Sequence, residues 1–537
     1  MPVEFLSQEQ RERYGRFVED PTSMQLAQYF LFDDRDRQFI SIRRGDHNRL
    51  GLALQLGTVR FLGTFLDDLT HVPGSVVKYV ASQLAIADLS YLNKYHPRVR
   101  WKHTLAISEQ YGYQSFSQRP DFWRLQRWMY NRAWMSDESA SVLFDQTTAY
   151  LVNRKILLPG VTTLERLVAT VRERVQQRLW KRLAKLPSRE QRQRLETLLT
   201  VEANRTLTPL EELRRSPTRH SAPALVLALR RLIQIRQLGI HTLNFGNLPP
   251  SRLKALARTA LTHRVQMIAR MADARRIAVL VAFAHTIEAI AQDDVLDVLE
   301  LLVKELLAKS QRDGKQARLR TLKDLDTAAL QLSQACRVLL ESEVAPDKVR
   351  EAVFERIDAE ALAAAIKQVE TFARPPEDQY YPEVLERWRQ VRIFLPLFLN
   401  TIQFESTKAG QPLLRAWQFL REIEGKAKPK MQKAPANVIT KGWHPWVVQA
   451  NGTVERRAYT FCVLQQLMAG LSRRELFVSP SARWSNPRAK LLQGEVWESL
   501  RPQVCRTLNL HPTAAPELAQ LKAQLDTAYQ PRLKTGK

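Results

Sequence analysis

A hydrophobic period close to 3.6 residues runs through nearly the whole chain, and this constrains the fold more than any other feature. The segment 162–186, TTLERLVATVRERVQQRLWKRLAKL, shows it best: Leu164, Leu167, Val168, Val171, Val175 and Leu179 fall on one stripe. Leu, Ala, Arg and Gln, all good helix formers, dominate, and Gly contributes only 18 of 537 residues. Alternating, strand-like patterns are almost absent, and the short run Glu475 to Val478 is the one plausible strand. The predicted class is mostly α. A chain of 537 residues exceeds what one core supports, so several domains are expected.

The stretch Arg43 to Gly63, RRGDHNRLGLALQLGTVRFLG, offers the most specific local pattern. Asp46 is placed to cap a helix whose first turn carries His47, Asn48 and Arg49. The body of that helix is Leu50, Leu52, Ala53, Leu54 and Leu56, and a short helix over Asp33 to Ile42 precedes it. Two short helices joined by a Gly-containing turn form the outline of a helix-turn-helix. Leucines at neighbouring positions all round the second helix predict burial of its body. That leaves its first turn, with Arg43 and Arg44, as the part able to read a partner.

Charge divides the chain into parts with different jobs. The formal net charge is +26 and the isoelectric point lies near 10.2, which calls for a polyanionic partner, most commonly nucleic acid. Residues 1–150 hold 18 Lys and Arg against 17 Asp and Glu, whereas residues 151–237 hold 19 against 7. Residues 401–537 hold 21 against 9, so the middle, 238–400, is nearly neutral. A membrane surface is the other candidate polyanion, but no apolar run approaches the roughly 18 residues that span a bilayer. The N-terminus, MPVEFLSQEQ, carries no secretory pattern, and three scattered cysteines, Cys336, Cys462 and Cys505, suit a reducing cytoplasm.

Several segments carry further expectations. Tyr91 to Trp101, YLNKYHPRVRW, interleaves aromatics with Lys94, Arg98 and Arg100, which suits phosphate contact as well as a plain turn around Pro97. Trp123, Trp128, Tyr130 and Trp134 on a helix over Asp121 to Met135 read as a core stripe. Thr162 and Glu165 fit a capping box at the start of the basic helix. On that helix Arg172, Arg174, Arg178, Lys181 and Arg182 outnumber Glu165 and Glu173, and this predicts DNA-backbone contact over a merely solvated face. Separate helices are expected over Ala274 to Ala291, Asp293 to Lys309 and Leu319 to Leu340. Asp293, Asp294 and Asp297 then complement the start of the second of these.

The resulting domain plan places a helix-turn-helix-like DNA-binding domain at 1–155 and a basic helical region at 156–245. A helical linker or dimerisation scaffold occupies 246–424, a Lys/Pro linker 425–437, and a small α+β unit 438–537. No P-loop, dinucleotide turn, nucleophile elbow or zinc spacing occurs in the chain. A two-metal nuclease core would place carboxylates on strand ends, and strands are lacking.

Three segments resemble the Tn-three family of bacterial transposases: 30–65, FLFDDRDRQFISIRRGDHNRLGLALQLGTVRFLGTF; 71–84, HVPGSVVKYVASQL; and 457–487, RAYTFCVLQQLMAGLSRRELFVSPSARWSNP. In the last, Arg473-Arg474-Glu475 stands where the family tends to have a Gly-Asp pair. The resemblance implies binding to double-stranded DNA at the terminal inverted repeats of a transposon, in the bacterial cytoplasm at the nucleoid. It further implies a homodimer, or pairing with a separate catalytic chain. In the family a ribonuclease-H-like domain with an Asp-Asp-Glu triad and Mg²⁺ follows. Because the sequence stops at Lys537, the expectation is a chain without that domain, no enzyme on its own and needing no cofactor itself.

Within that reading Arg43, Arg44, His47, Asn48 and Arg49 lie near the groove, with Asn48 and Arg49 as specificity candidates, since Asn suits adenine and Arg guanine. Lys94, Arg98 and Arg100 assist, and Arg172, Arg174, Arg178, Lys181 and Arg182 hold phosphates. Two alternatives stay open: a stand-alone regulator competing with an intact transposase, and a helical scaffold binding RNA or an acidic protein.

Overall fold

A computed structural model describes residues 4–89, 94–201, 203, 205–340, 345–372, 380–426, 430–489, 491–492, 494–508 and 510–535. Helices dominate, and the strands described are two residues each: Glu405–Ser406 pairs antiparallel with Leu476–Phe477, Glu405 opposite Phe477. The mostly α, multidomain expectation holds, and the strand expected near 475–478 is present. Two compact units are separated by their contacts. The first comprises residues 1–214 and 238–287, the second 215–237 and 288–537.

In the first unit the helix Asp46–Leu62 is the centre of one core, and every residue from Leu50 to Val59 is buried. Phe30, Phe32, Ile40, Val76, Val80 and Ile107 close around it. Two glycines permit this. A Cβ on Gly57 would sit 2.2 Å from the Phe30 ring, and one on Gly51 would sit 2.5 Å from Tyr95. Asp36 locks the preceding helix, Asp34–Ser41, to the central one. Its carboxylate accepts both Arg60 Nη1 and Nη2 at 2.8 Å and the Tyr111 hydroxyl at 2.6 Å. Burial raises the pKa of Asp36, but the hydrogen bonds from Arg60 and Tyr111 outweigh it and hold the carboxyl below its usual range. Arg60 gains correspondingly from Asp36.

The second core joins Arg119–Met135, Ala140–Asn153 and the basic helix Val161–Ala184. Leu125 and Met129 meet Leu164, Val168, Val171 and Val175 there. Each such aliphatic side chain contributes roughly 1.5–3 kcal/mol when fully buried. The sequence-based boundary at 155 falls within this shared core. The helix opens without the expected capping box: Gly160 precedes Val161, no side chain caps it, and Glu165 is buried against Arg11 at 3.1 Å. A buried carboxylate needs a charged partner more than a helix end needs a reciprocal cap.

The second unit packs Ala222–Gln237 on Trp388–Thr401 and Gln411–Ile423 on Arg456–Ser472. Part of the segment expected as a bare linker packs here, since the Tyr459 hydroxyl donates to the Pro435 carbonyl and Val438 is buried. The separate helices expected across 274–340 are one helix of 66 residues, Asp273–Val338, and the unit division falls inside it. Without proline to break it, polar Gln292 and Asp293 simply continue the helix.

Asp293, Asp294 and Asp297 therefore lie mid-helix, and their expected role at a helix start is corrected. Asp293 accepts the backbone N–H groups of Ala482 and Arg483 at 3.0 Å. Asp297 takes Arg483 Nη1 and the Trp484 indole N–H at 2.9 Å, and Asp294 pairs with Arg231. The carboxylates answer an incoming loop and a neighbouring helix rather than a dipole.

Gly57→Ala should destabilise the first core by about 1–3 kcal/mol, because the buried Phe30 ring has nowhere to retreat. A denaturant midpoint matching that of the parent chain would show that the ring can move.

Candidate nucleic-acid interface

A Gly-containing turn joins the short helix Asp34–Ser41 to the central helix Asp46–Leu62 where one was expected, with one change at the cap. Gly45, at φ +83°, precedes Asp46, so the residue at the cap is Gly45. Asp46 instead forms an ion pair with Arg49, three residues on. Asn48 donates its amide to the Arg44 carbonyl at 2.8 Å, and the Arg43 guanidinium lies 5.4 Å from the Phe39 ring centroid. His47 folds its ring over Gly45. Arg44 is exposed. Because the body of the helix, Leu50 to Val59, is buried on every side, it cannot lie in a groove; only its two end turns are partly exposed.

Behind this turn His103 is buried, and its Nδ1 lies 2.9 Å from the Tyr95 hydroxyl. Burial, with the Arg43 charge in support, lowers the His103 pKa to about 4. Burial likewise raises Tyr95. His103 is therefore a neutral core group and a poor phosphate contact.

In the 91–101 segment, Tyr91 lies outside the described residues. His96 caps the helix Pro97–Tyr111, its Nδ1 accepting the Arg98 N–H at 3.2 Å, so Pro97 starts a helix where a turn was the alternative. Lys94 and Arg98 are exposed, and Arg100 pairs with Asp67 at 3.6 Å.

The basic helix sorts its charges by depth. Arg174, Arg178, Lys181, Arg182 and Lys185 are all exposed and, with Gln177, line an open groove of about 470 Å³. From Arg174 to Lys185 the axial rise is roughly 16 Å. No carboxylate lines that groove. Arg178 is anchored as well as exposed: its guanidinium lies 5.8 Å from the Tyr130 centroid and 5.5 Å from Trp134, and it donates to the Tyr130 hydroxyl at 3.0 Å.

Arg172 departs from expectation. It faces the protein, donates to the Glu138 carbonyl, and leaves its Nε buried without a partner. Burial, then the nearby Arg252, lowers its pKa against Asp137 and Glu138. An arginine spent on the interior is not presented to phosphate.

The supposed aromatic core stripe also separates. Trp128, Tyr130 and Trp134 are partly buried against the second core, but Trp123 is 64% exposed. Arg119, Arg127 and Asn131 share its surface. The signal was present as two i,i+4 ridges in different register: Leu125, Met129 and Ala133 inward; Arg119, Trp123, Arg127 and Asn131 outward. Among the described residues, no group of three or more His, Cys, Asp or Glu could hold a metal ion, and no helix is long and apolar enough to cross a membrane.

Comparison with known proteins places this geometry in context. A family described as a domain of unknown function, DUF4158, matches residues 5–171. The chain is 42% identical over 99% of its length to a transposase for transposon gamma-delta from Escherichia coli strain K12, covering 53% of that protein. It is 32% identical over 62% of its length to a transposase for transposon Tn4556 from Streptomyces fradiae, covering 40% of it. Against a transposase for transposon Tn1546 from Enterococcus faecium it is 24% identical over 92% of its length, covering 50%.

Homology to Tn-three family transposases thus extends over nearly the full chain, which spans about half the length of these relatives. The expectation of a chain that is no enzyme on its own is corrected. It rested on where the sequence ends, whereas relatives matching almost all of this chain are transposases.

His103 fixes the sign of a pH effect. Its folded pKa lies below its unfolded value near 6.5, so the unfolded chain binds the extra proton between pH 6.5 and about 4. Stability of the first unit should be full above pH 6.5, fall as the pH drops towards 4, and change no further from this group below that. His103→Gln should flatten that part of a plot of unfolding free energy against pH; an unaltered slope would remove His103 as its source.

Proposed function

We propose that this chain acts in DNA transposition and holds the double-stranded end of a transposon, at its terminal inverted repeat. The carrying observation is the groove on the Val161–Ala184 helix, where five cations face solvent with no carboxylate among them. Such a surface displaces condensed counterions from a duplex, and that release supplies most of the salt-sensitive affinity. Arg178, held against Tyr130 and Trp134, loses little freedom on meeting a phosphate, so part of the ordering cost is met in advance.

The turn before the central helix supplies a second, smaller contact. Arg44 and His47 are the residues of that cluster best placed for it, with Lys94 and Arg98 adding charge. Arg43, Asn48 and Arg49 are half-buried and already engaged by neighbouring groups, and they assist by shaping the turn. Arg100 is tied to Asp67, and Arg172 belongs to the interior. Two ends have to meet for a transposon to move, so the reading includes two copies acting together. The relatives, all named as transposases, lend no support to a stand-alone regulator or an RNA scaffold.

The test is the salt dependence of binding to a labelled duplex carrying the terminal repeat. Each phosphate contact adds roughly 0.9 to the slope of log affinity against log salt. The double variant Lys181→Ala/Arg182→Ala should make that slope shallower by roughly 1.8 between about 50 and 200 mM salt. Arg172→Ala should leave the slope alone. A double variant with the parental slope would take the DNA off this face.

A further inference from the structure

In the reading above the cations of the groove are spent on phosphates, where they carry no sequence information, and Gln177 already donates its amide to Glu173 at 3.1 Å. The neighbouring helix Arg119–Met135 has what the groove lacks. Its inward ridge, Leu125, Met129 and Ala133, is buried in the second core. Its outward ridge presents Arg119, Trp123, Arg127 and Asn131 at successive i+4 positions, all exposed. Among the described residues, Arg127 and Asn131 are recorded in no side-chain hydrogen bond or ion pair, while Arg124 beside them pairs with Asp121 at 3.1 Å.

We infer that the Arg119–Met135 helix is the base-reading element, with Arg127 and Asn131 contacting base edges in the major groove and Trp123 packing on the duplex between them and Arg119. This inference rests on the DNA-end reading proposed above.

The two surfaces are continuous. Tyr130 and Trp134, which seat Arg178 of the basic helix, project from the flank of the outward ridge, within about 60° of Arg127 on the helical wheel at 100° per residue. A duplex whose phosphates lie on Arg174, Arg178 and Lys181 therefore passes over the ridge carrying Arg127 and Asn131. An α-helix is about 10–12 Å across with its side chains, and the major groove of B-DNA is about 12 Å wide. Successive i+4 positions rise about 6 Å along the axis, close to two base-pair steps, so Arg127 and Asn131 address bases that are near neighbours.

The chemistry is matched to the task. Arg forms a bidentate pair with guanine O6 and N7, and Asn with adenine N6 and N7. The buried body of the Asp46–Leu62 helix cannot enter a groove, so the base-reading role it seemed suited to passes to a helix with one clean outward face.

The test uses the full chain and a pool of duplexes with a randomised centre, enriched over several rounds of binding. The parent chain should enrich a motif. Arg127→Ala should lose preference at a guanine and Asn131→Ala at an adenine close by, each binding the enriched duplex about tenfold more weakly and a scrambled duplex unchanged. Lys181→Ala/Arg182→Ala should weaken binding to both duplexes and still enrich the parental motif. Because the altered side chains are exposed, all variants should melt with the parent.

If the variants at 127 and 131 enrich the parental motif, or weaken both duplexes alike, the base-reading role is overturned while the DNA-end reading stands. If the parent enriches no motif, the DNA-end reading falls and this inference with it.

Discussion

The packing of one apolar stripe determines where every charge in the first unit can go. Leu164, Val168, Val171, Val175, Leu179 and Leu183 leave the basic helix one face to bury, and Leu125 and Met129 on the neighbouring helix join the first four of them in one core. Once that face is fixed, helical geometry sends Arg174, Arg178, Lys181, Arg182 and Lys185 to the opposite side together. The same contact turns the neighbour's Arg127 and Asn131 outward. A cationic groove and a polar ridge on adjacent helices are thus consequences of one hydrophobic interface, and shifting either helix by one position would scatter both.

Depth also separates arginines that look equivalent along the chain. Arg172 and Arg174 are two residues apart on one helix, yet the first is half-buried against the Glu138 carbonyl and the second lines the open groove. Arg60 is drawn inward to neutralise Asp36. An inward arginine supports the fold through a buried partner, which is costly to remove; an outward one is left to meet a partner. Counting basic residues by region, as net charge does, merges these two populations.

This is why some of the molecule could be read from the chain and some could not. The helical class, the basic helix and the burial of Leu50 to Leu56 follow from periodicity, which local sequence carries in full. The partner of a polar side chain does not. Asp293, Asp294 and Asp297 look like a helix-start cluster until the loop at 481–484 and Arg231, remote in sequence, are seen to claim them. Asp46 looks like a cap until Gly45 takes that position and Arg49 pairs with the carboxylate. Trp123 shares only its residue type with Trp128 and Trp134, because the positions of Leu125 and Met129 set the inward direction and leave Trp123 outside it.

The stretch from Arg43 to Gly63 shows the same logic from the other side. It lies within the part of the chain that matches transposases, but its residues are held mostly by packing: Gly51 and Gly57 because Tyr95 and Phe30 lie against them, and Leu50 to Val59 because the core closes on every face. Recognition needs side chains that are exposed, unspent and fixed in direction. Arg44 meets the first two conditions on a turn, while Arg127 and Asn131 meet all three on a helix anchored by its opposite face. On the proposed reading the core around Asp46–Leu62 is a platform, and the surface that would distinguish one DNA end from another belongs to the helices of the second core, Arg119–Met135 and Val161–Ala184.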